Sequence, residues 1–201
     1  ANFIIFSDDN FTLDVKGFES LCDAITQEGH NDIRYIIQAS STGIASSDTL
    51  AKKMARAGFR IVFLGIENVS EENLRLMKKG NIIEKTKLAV KRLHEQNIMI
   101  VGGMIIGNPN DKEEDIARNY EFFVDSQIDF FADQILTPYP KTGMREELLQ
   151  SGLVTNKYDY SRYNCFWANV KTNFLGAEDL QFLRWKYNKK YANYICTTPA
   201  F

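Results

Sequence analysis

Residues 59–80 read FRIVFLGIENVSEENLRLMKKG, and the order of residue types here sets the expectation for the rest of the chain. Ile61, Val62, Phe63 and Leu64 form a short unbroken apolar run, as in a parallel strand buried on both faces, and Gly65 is expected to end it. Glu67 and Asn68 follow at once. Ser70 then offers an N-cap for a helix with Glu71 and Glu72 in its first turn and Lys78, Lys79 and Gly80 at its end. A carboxylate just past the C-terminal end of a buried strand stands where parallel α/β proteins place ligand chemistry. A loop carboxylate facing water is the plainer alternative.

The same pattern recurs on both sides of this stretch. Upstream, the apolar run Phe3 to Phe6 ends in Ser7-Asp8-Asp9-Asn10, and Val15, Phe18, Leu21, Cys22 and Ile25 then share one helical face up to Gly29. Tyr35 to Ile37 form a strand that ends in Gln38-Ala39-Ser40-Ser41-Thr42-Gly43. A helix over 48–57 follows, buried along Leu50, Ala51, Met54 and Ala57, and Gly58 turns the chain. Downstream, Ile82, Thr86, Ala89, Val90 and Leu93 mark a helix. Residues 98–106 form a strand interrupted at Gly102-Gly103 and ending in Gly107-Asn108-Pro109-Asn110. Asp111 and Glu114 suit a capping box for the helix with Ile116, Ala117, Tyr120, Phe123 and Val124. A short strand over 133–136 terminates in Thr137-Pro138-Tyr139-Pro140.

Five strands alternating with helices, with no hairpin signal between them, imply parallel pairing with right-handed crossovers. A doubly wound sheet and part of a β/α barrel both satisfy this, but 201 residues fall short of the roughly 250 of a full eight-stranded barrel. After Gly152 the pattern changes to an aromatic-rich covering segment (Tyr158, Tyr160, Tyr163, Phe166, Trp167). A last helix follows, with Leu180, Leu183, Tyr187, Tyr191 and Tyr194 as its packed stripe. The expected division is therefore a barrel part over 1–152 and a C-terminal part over 153–201.

With 44% hydrophobic residues and 14 Phe the chain can bury one sizeable core. Its 24 basic and 26 acidic residues, with no long run of one sign, give no nucleic-acid footprint. No apolar stretch is long enough to span a bilayer and no signal-peptide pattern opens the chain, so a cytoplasmic location is expected. Cys22, Cys165 and Cys196 are widely spaced and read as structural thiols. Ala1 in place of Met suggests a piece of a longer protein.

Neither His30 nor His94 falls at a strand tip, and no phosphate loop or nucleophile elbow occurs. What remains is a ring of tips: Asp8 with Asp9, Gln38 with Ser40, Glu67 with Asn68, residues 107–110, and Thr137 to Tyr139. Carboxylates, amides and open backbone suit a ligand with a cationic centre, an amino group and hydroxyls. Gly103 and Gly107, each two residues from Ile105, would let a flat ring approach the backbone, or would simply ease bending of the strand.

The segments IIFSDDNFTLD, LAKKMARAGFRIVFLGIEN, IMIVGGMIIGNPNDKEED and TPYPKTGMREELLQSGLV, in this order, resemble the radical S-adenosylmethionine (radical SAM) superfamily. The likeness runs from residue 3 to about 155, and is strongest to the cobalamin-binding branch that includes the anaerobic magnesium-protoporphyrin IX monomethyl ester cyclase. It implies a partial (β/α)6 TIM-like barrel, truncated at its N-terminal strand, with a C-terminal helical extension. S-adenosylmethionine (SAM) would lie across the strand tips. Asp8, Asp9 and Asn10 stand at the segment that receives the methionine amino group. Gln38 and Ser40 form the second tip. Glu67 and Asn68 match the ribose motif, and Gly103, Ile105 and Gly107 match the G-x-I-x-G segment beside adenine, with the usual acidic residue displaced by one to Asp111. Thr137, Pro138 and Tyr139 match the last tip, where Lys141 replaces a common glycine.

The superfamily's C-x-x-x-C-x-x-C loop, whose thiolates hold a [4Fe-4S] cluster, is absent from these residues. The resemblance thus implies the SAM-binding barrel of a radical oxidoreductase or transferase, inactive as this piece alone. Cluster ligands are expected upstream, cobalamin in the parent, and a small-molecule substrate such as a tetrapyrrole. Self-association through an exposed first strand is expected. A non-catalytic SAM-binding or regulatory module is the alternative from another class. An unrelated barrel lyase would require a Lys or His at a tip, which none of the five strands provides.

Overall fold

Five parallel strands stand in chain order, each hydrogen-bonded to the next: β1 (Phe3–Ile5), β2 (Arg34–Ser40), β3 (Phe59–Glu67), β4 (Met99–Ile106) and β5 (Phe130–Ile135). The crossovers hold α1 (Val15–Gln27), α2 (Ser41–Ala45), α3 (Leu50–Ala57), α4 (Ile83–His94) and α5 (Glu113–Asp125). Sequential strand order with helices along one side curls the sheet into a half-barrel. The computed structural model describes residues 2–70, 73 and 82–197, without the side chains of 193 and 195–197. Apart from Asn73, the helix expected after Ser70 lies outside the described residues.

Side-chain alternation divides each strand between two environments. Ile37, Ala39, Val62, Leu64, Ile66, Ile100, Met104 and Ile106 are buried in one core with Leu50, Met54, Ala89, Leu93, Ile116 and Phe123 from the helices. The intervening Ile36, Gln38, Ile61, Phe63 and Val101 are half-buried or exposed. The central strand is therefore not buried on both faces as its apolar run suggested, because a half-barrel leaves its concave side uncovered.

Several local expectations shift for identifiable reasons. β3 does not stop at Gly65 but continues to Glu67, whose φ is +69° and which follows a register irregularity against β4. β4 is not interrupted at Gly102-Gly103. A Cβ at Gly102 would come within 2.7 Å of Phe123 and Ile128, and one at Gly103 within 2.8 Å of the Phe63 ring, so the glycines admit packing from both faces of a continuous strand. Asp111 does not cap α5. Its carboxylate turns back to the end of β4, and Asp115 instead accepts the Lys112 N–H at 3.0 Å.

The C-terminal part shares the same core. After α6 (Gly143–Gln150), Val154 bridges Val170, and α7 (Ala177–Thr197) buries Leu180, Leu183 and Tyr187. Only Tyr163 of the five aromatics expected to form a cover is buried. Its hydroxyl accepts from Arg145 at 2.7 Å and donates to the Asn156 carbonyl at 2.6 Å. Asp133, on β5, fastens α7: its carboxylate accepts from Tyr120 Oη (2.5 Å), Asn188 Nδ2 (2.5 Å) and Arg184 (3.2 Å). Burial, followed by the Asp133 charge, pushes the Tyr120 phenol pKa up.

Candidate active site at the strand tips

Register decides which of the expected residues meet. Ser40 pairs with Gly65, Gly65 with Gly103, and Gly103 with Ala132, so four small residues form one row across β2 to β5. The row before it holds Gln38, Phe63, Val101 and Phe130. Ile105, two residues beyond Gly103, pairs with Gln134. Gln38, Ser40, Gly103 and Ile105 therefore share the concave face.

Ser40 is also tied to the first tip. Thr12 Oγ1 donates to Asn10 Oδ1 at 2.7 Å, lies 3.0 Å from Ser40 Oγ and accepts the Ser40 N–H at 3.0 Å. Ser40 Oγ in turn accepts the Gly43 N–H, which caps α2. A Cβ on Gly43 would come within 2.2 Å of Thr12, so the two loops are in close contact. Asp8 and Asp9 remain exposed. Asp8 and Asn10 line a groove of about 300 Å³ with Phe11, Leu13, Asp14 and Gly17.

The third and fourth tips are joined through amides. Asn68 is fully buried, donates to the Ile105 carbonyl at 3.3 Å and accepts the Ser70 N–H at 2.8 Å, so it ties the end of β3 to β4. Asp111, also fully buried, accepts from Gly107 N at 2.8 Å, Asn108 N at 2.9 Å and Asn73 Nδ2 at 2.6 Å. Burial pushes its pKa from 3.8 up to about 6, against the lowering effect of these hydrogen bonds. Thr172 donates to the Asp111 carbonyl at 2.9 Å. Gly107 (φ +86°) is closed in by Leu180, Ile135 and Val170, which a Cβ would meet at 3.1 to 3.7 Å.

At the last tip Thr137 is buried and donates to the Ile135 carbonyl, and the Pro138 carbonyl accepts from Arg145 at 2.8 Å. Tyr139 is 46% exposed, its hydroxyl 3.2 Å from Cys165 Sγ. Lys141 takes a left-handed φ of +63°, a conformation that favours glycine. Thr12, Phe63, Asn73 and Thr172, which shape the tips, carry no spacing signal in the sequence. Asp111 does, four residues after Gly107.

Residues 1–123 match the sequence pattern described as the Radical SAM superfamily, and the chain belongs to that superfamily. It is 27% identical to bacteriochlorophyllide d C-12(1)-methyltransferase of Chlorobaculum tepidum over 87% of this chain and 37% of that protein. It is 28% identical to the anaerobic magnesium-protoporphyrin IX monomethyl ester cyclase of Cereibacter sphaeroides over 90% of this chain and 29% of that one. The chain thus spans about a third of the length of these curated relatives. Among solved structures its fold matches HemN, the coproporphyrinogen III oxidase of Escherichia coli, with TM-score 0.71, 12% identity and coverage of 96% of this chain and 40% of HemN. It also matches the cobalamin- and cluster-bound methyltransferase TsrM of Kitasatospora setae with TM-score 0.67, 19% identity and coverage of 79% and 30%.

The residues present fit one of the superfamily's two cofactors and not the other. The concave row is built of small residues with the Phe63 ring over Gly103, and the tips beside it carry carboxylates and amides of the kind that SAM's amino group and hydroxyls take. Among the described residues no group of three His, Cys, Asp or Glu could hold a metal. Cys22 is buried in α1 with its pKa pushed up to about 12 by burial, and Cys165 stands beside Tyr139. These residues do not fit a [4Fe-4S] cluster, which takes three neighbouring thiolates. No described helix is long and apolar enough to cross a membrane.

Proposed function

We propose that this chain holds SAM across the tips of the half-barrel, as part of a radical SAM oxidoreductase or methyltransferase whose cluster ligands lie outside these residues. The placement of Gln38, Ser40, Gly103 and Ile105 on one concave face supports this reading. In it, Asp8 and Asp9 take the amino group, Glu67 the ribose hydroxyls, and Gly103 and Ile105 the adenine. Asn10 and Asn68 act by holding the loops, while Gly107, Thr137, Pro138 and Tyr139 complete the rim. When bound beside a reduced cluster, SAM supplies radical or methyl-transfer chemistry. The names of the relatives favour a small-molecule substrate such as a tetrapyrrole, and that of TsrM favours cobalamin in the parent.

Calorimetric titration of the 201-residue chain with SAM tests the reading. Weak saturable binding is expected, because these residues do not hold the cluster. Glu67→Gln should weaken it by roughly tenfold, since a carboxylate accepts hydroxyl hydrogen bonds more strongly than an amide. Affinity unchanged by the substitution, or no saturable binding, overturns it.

A further inference from the structure

The opposite end of the half-barrel carries a second cavity. At the starting ends of β1 to β4 a space of about 370 Å³ is lined by Phe3, Arg34, Arg60, Ile61, Asn97 and Met99. Phe3, Arg34 and Met99 are the first residues of β1, β2 and β4, and Arg60 and Ile61 are the second and third of β3, whereas the tip residues lie at the other ends. Tyr35 pairs with Phe59 and Ile36 with Ile61, so Arg60 is the extra residue of a β-bulge. Bulges re-aim side chains in this way.

Arg60 NH1 donates to the carbonyls of Ala55 at 2.8 Å and Phe59 at 3.0 Å, which anchors the group at the end of α3. Arg34 lies over the Phe3 ring at 5.7 Å. Among the described residues neither forms an ion pair with a carboxylate, and the lining contains no acid. Asp32, the acid closest to Arg34 in sequence, does not line the cavity.

Two cations over an apolar floor of Phe3, Ile61 and Met99 select for two properties at once. The fork of a guanidinium matches a carboxylate, and the floor rewards an apolar body. The volume lies at the small end of ligand cavities. We propose that this cavity binds a small organic carboxylate with an apolar body, its carboxylate held by Arg34 and Arg60 and its body against Phe3, Ile61 and Met99. The site is separate from the tips and does not depend on SAM binding there.

Backbone amide spectra of the 201-residue chain, titrated with phenylbutyrate, neutral phenylbutanol and butyrate, test this. Saturable shifts centred on Phe3, Arg34, Ile61 and Met99 are expected with phenylbutyrate. Phenylbutanol, which lacks the charge, and butyrate, which lacks the ring, should each bind roughly tenfold more weakly. Arg34→Gln and Arg60→Gln should each weaken phenylbutyrate by about tenfold. Arg60 also anchors the end of α3, so Arg34→Gln decides if the other variant loses its folded spectrum. Equal affinity for acid and alcohol, affinity unchanged by Arg34→Gln, or no saturable shift near 10 mM, roughly the weakest useful affinity, overturns the proposal.

Discussion

Replacing Asp111 separates the effect of its charge from that of its hydrogen bonds. The folded pKa, about 6, lies above the ordinary 3.8, so folding takes up a proton between these values. Its contribution to stability is full below pH about 4 and is lost as pH rises through about 6. The gap between the two values is worth roughly 3 kcal/mol at about 1.4 kcal/mol per pH unit. Asp111→Asn abolishes this pH dependence. Its amide oxygen still accepts from Gly107 and Asn108, and Asn73 Oδ1, buried and without a hydrogen-bond partner among the described residues, can accept from the new amide if the Asn73 side chain turns over. We expect a change within about 1 kcal/mol of wild type or a gain at pH about 8. Asp111→Ala instead leaves two backbone N–H groups and Asn73 Nδ2 without an acceptor, a loss of about 3 to 5 kcal/mol. Urea unfolding of all three proteins at several pH values between about 4 and 8 measures these differences, and comparison with wild type cancels the other titrating groups. A loss in Asp111→Asn as large as that in Asp111→Ala, or the same pH profile in Asp111→Asn and wild type, would refute the reasoning.

Asp133→Ala should cost about 3 to 5 kcal/mol, read as a fall in thermal midpoint, because Arg184, Tyr120 and Asn188 lose a shared buried acceptor. Lys141→Gly should stabilise the fold by about 0.5 to 1 kcal/mol in urea unfolding, since the relief of a left-handed lysine exceeds the added chain entropy. A loss there would show that the lysine side chain outweighs the backbone strain. β1 exposes Phe3 (50%) and Ile5 (71%) at the sheet edge. Sedimentation should show concentration-dependent pairing that Ile5→Lys reduces, and a clean monomer in both proteins would remove β1 as the contact.

The alternation of strands with helices and the buried helical stripes were legible because each depends on local periodicity, whereas the sequential strand order was implied only by the family resemblance. Leu50, Ala51, Met54 and Ala57 all fall at helical spacing and are all buried. The extent of β3 was not, because Gly65 is an ordinary strand residue when the register row around it demands a small side chain. Asp111 read as a helix cap from its distance to Glu114, but only the folded chain shows that Gly107 and Asn108 present their N–H groups to it first. The links from Thr12 to Ser40 and from Asn73 to Asp111 span 28 and 38 residues, beyond any local pattern.

The far edge of the sheet differs in kind from β1. On β5 the Ile135 N–H donates to the Cys165 carbonyl at 2.7 Å, and the Asp133 carbonyl accepts Arg184 Nε at 3.3 Å. Cys165, at φ +67°, makes this contact in a turn rather than in a sixth strand. Strand-by-strand polymerisation requires two reactive ends on every monomer, and among the described residues β1 is the edge without such contacts while β5 is held at Asp133 and Ile135. Two copies joined edge to edge through β1 would present only β5 edges outward, so growth by this route ends at a closed pair.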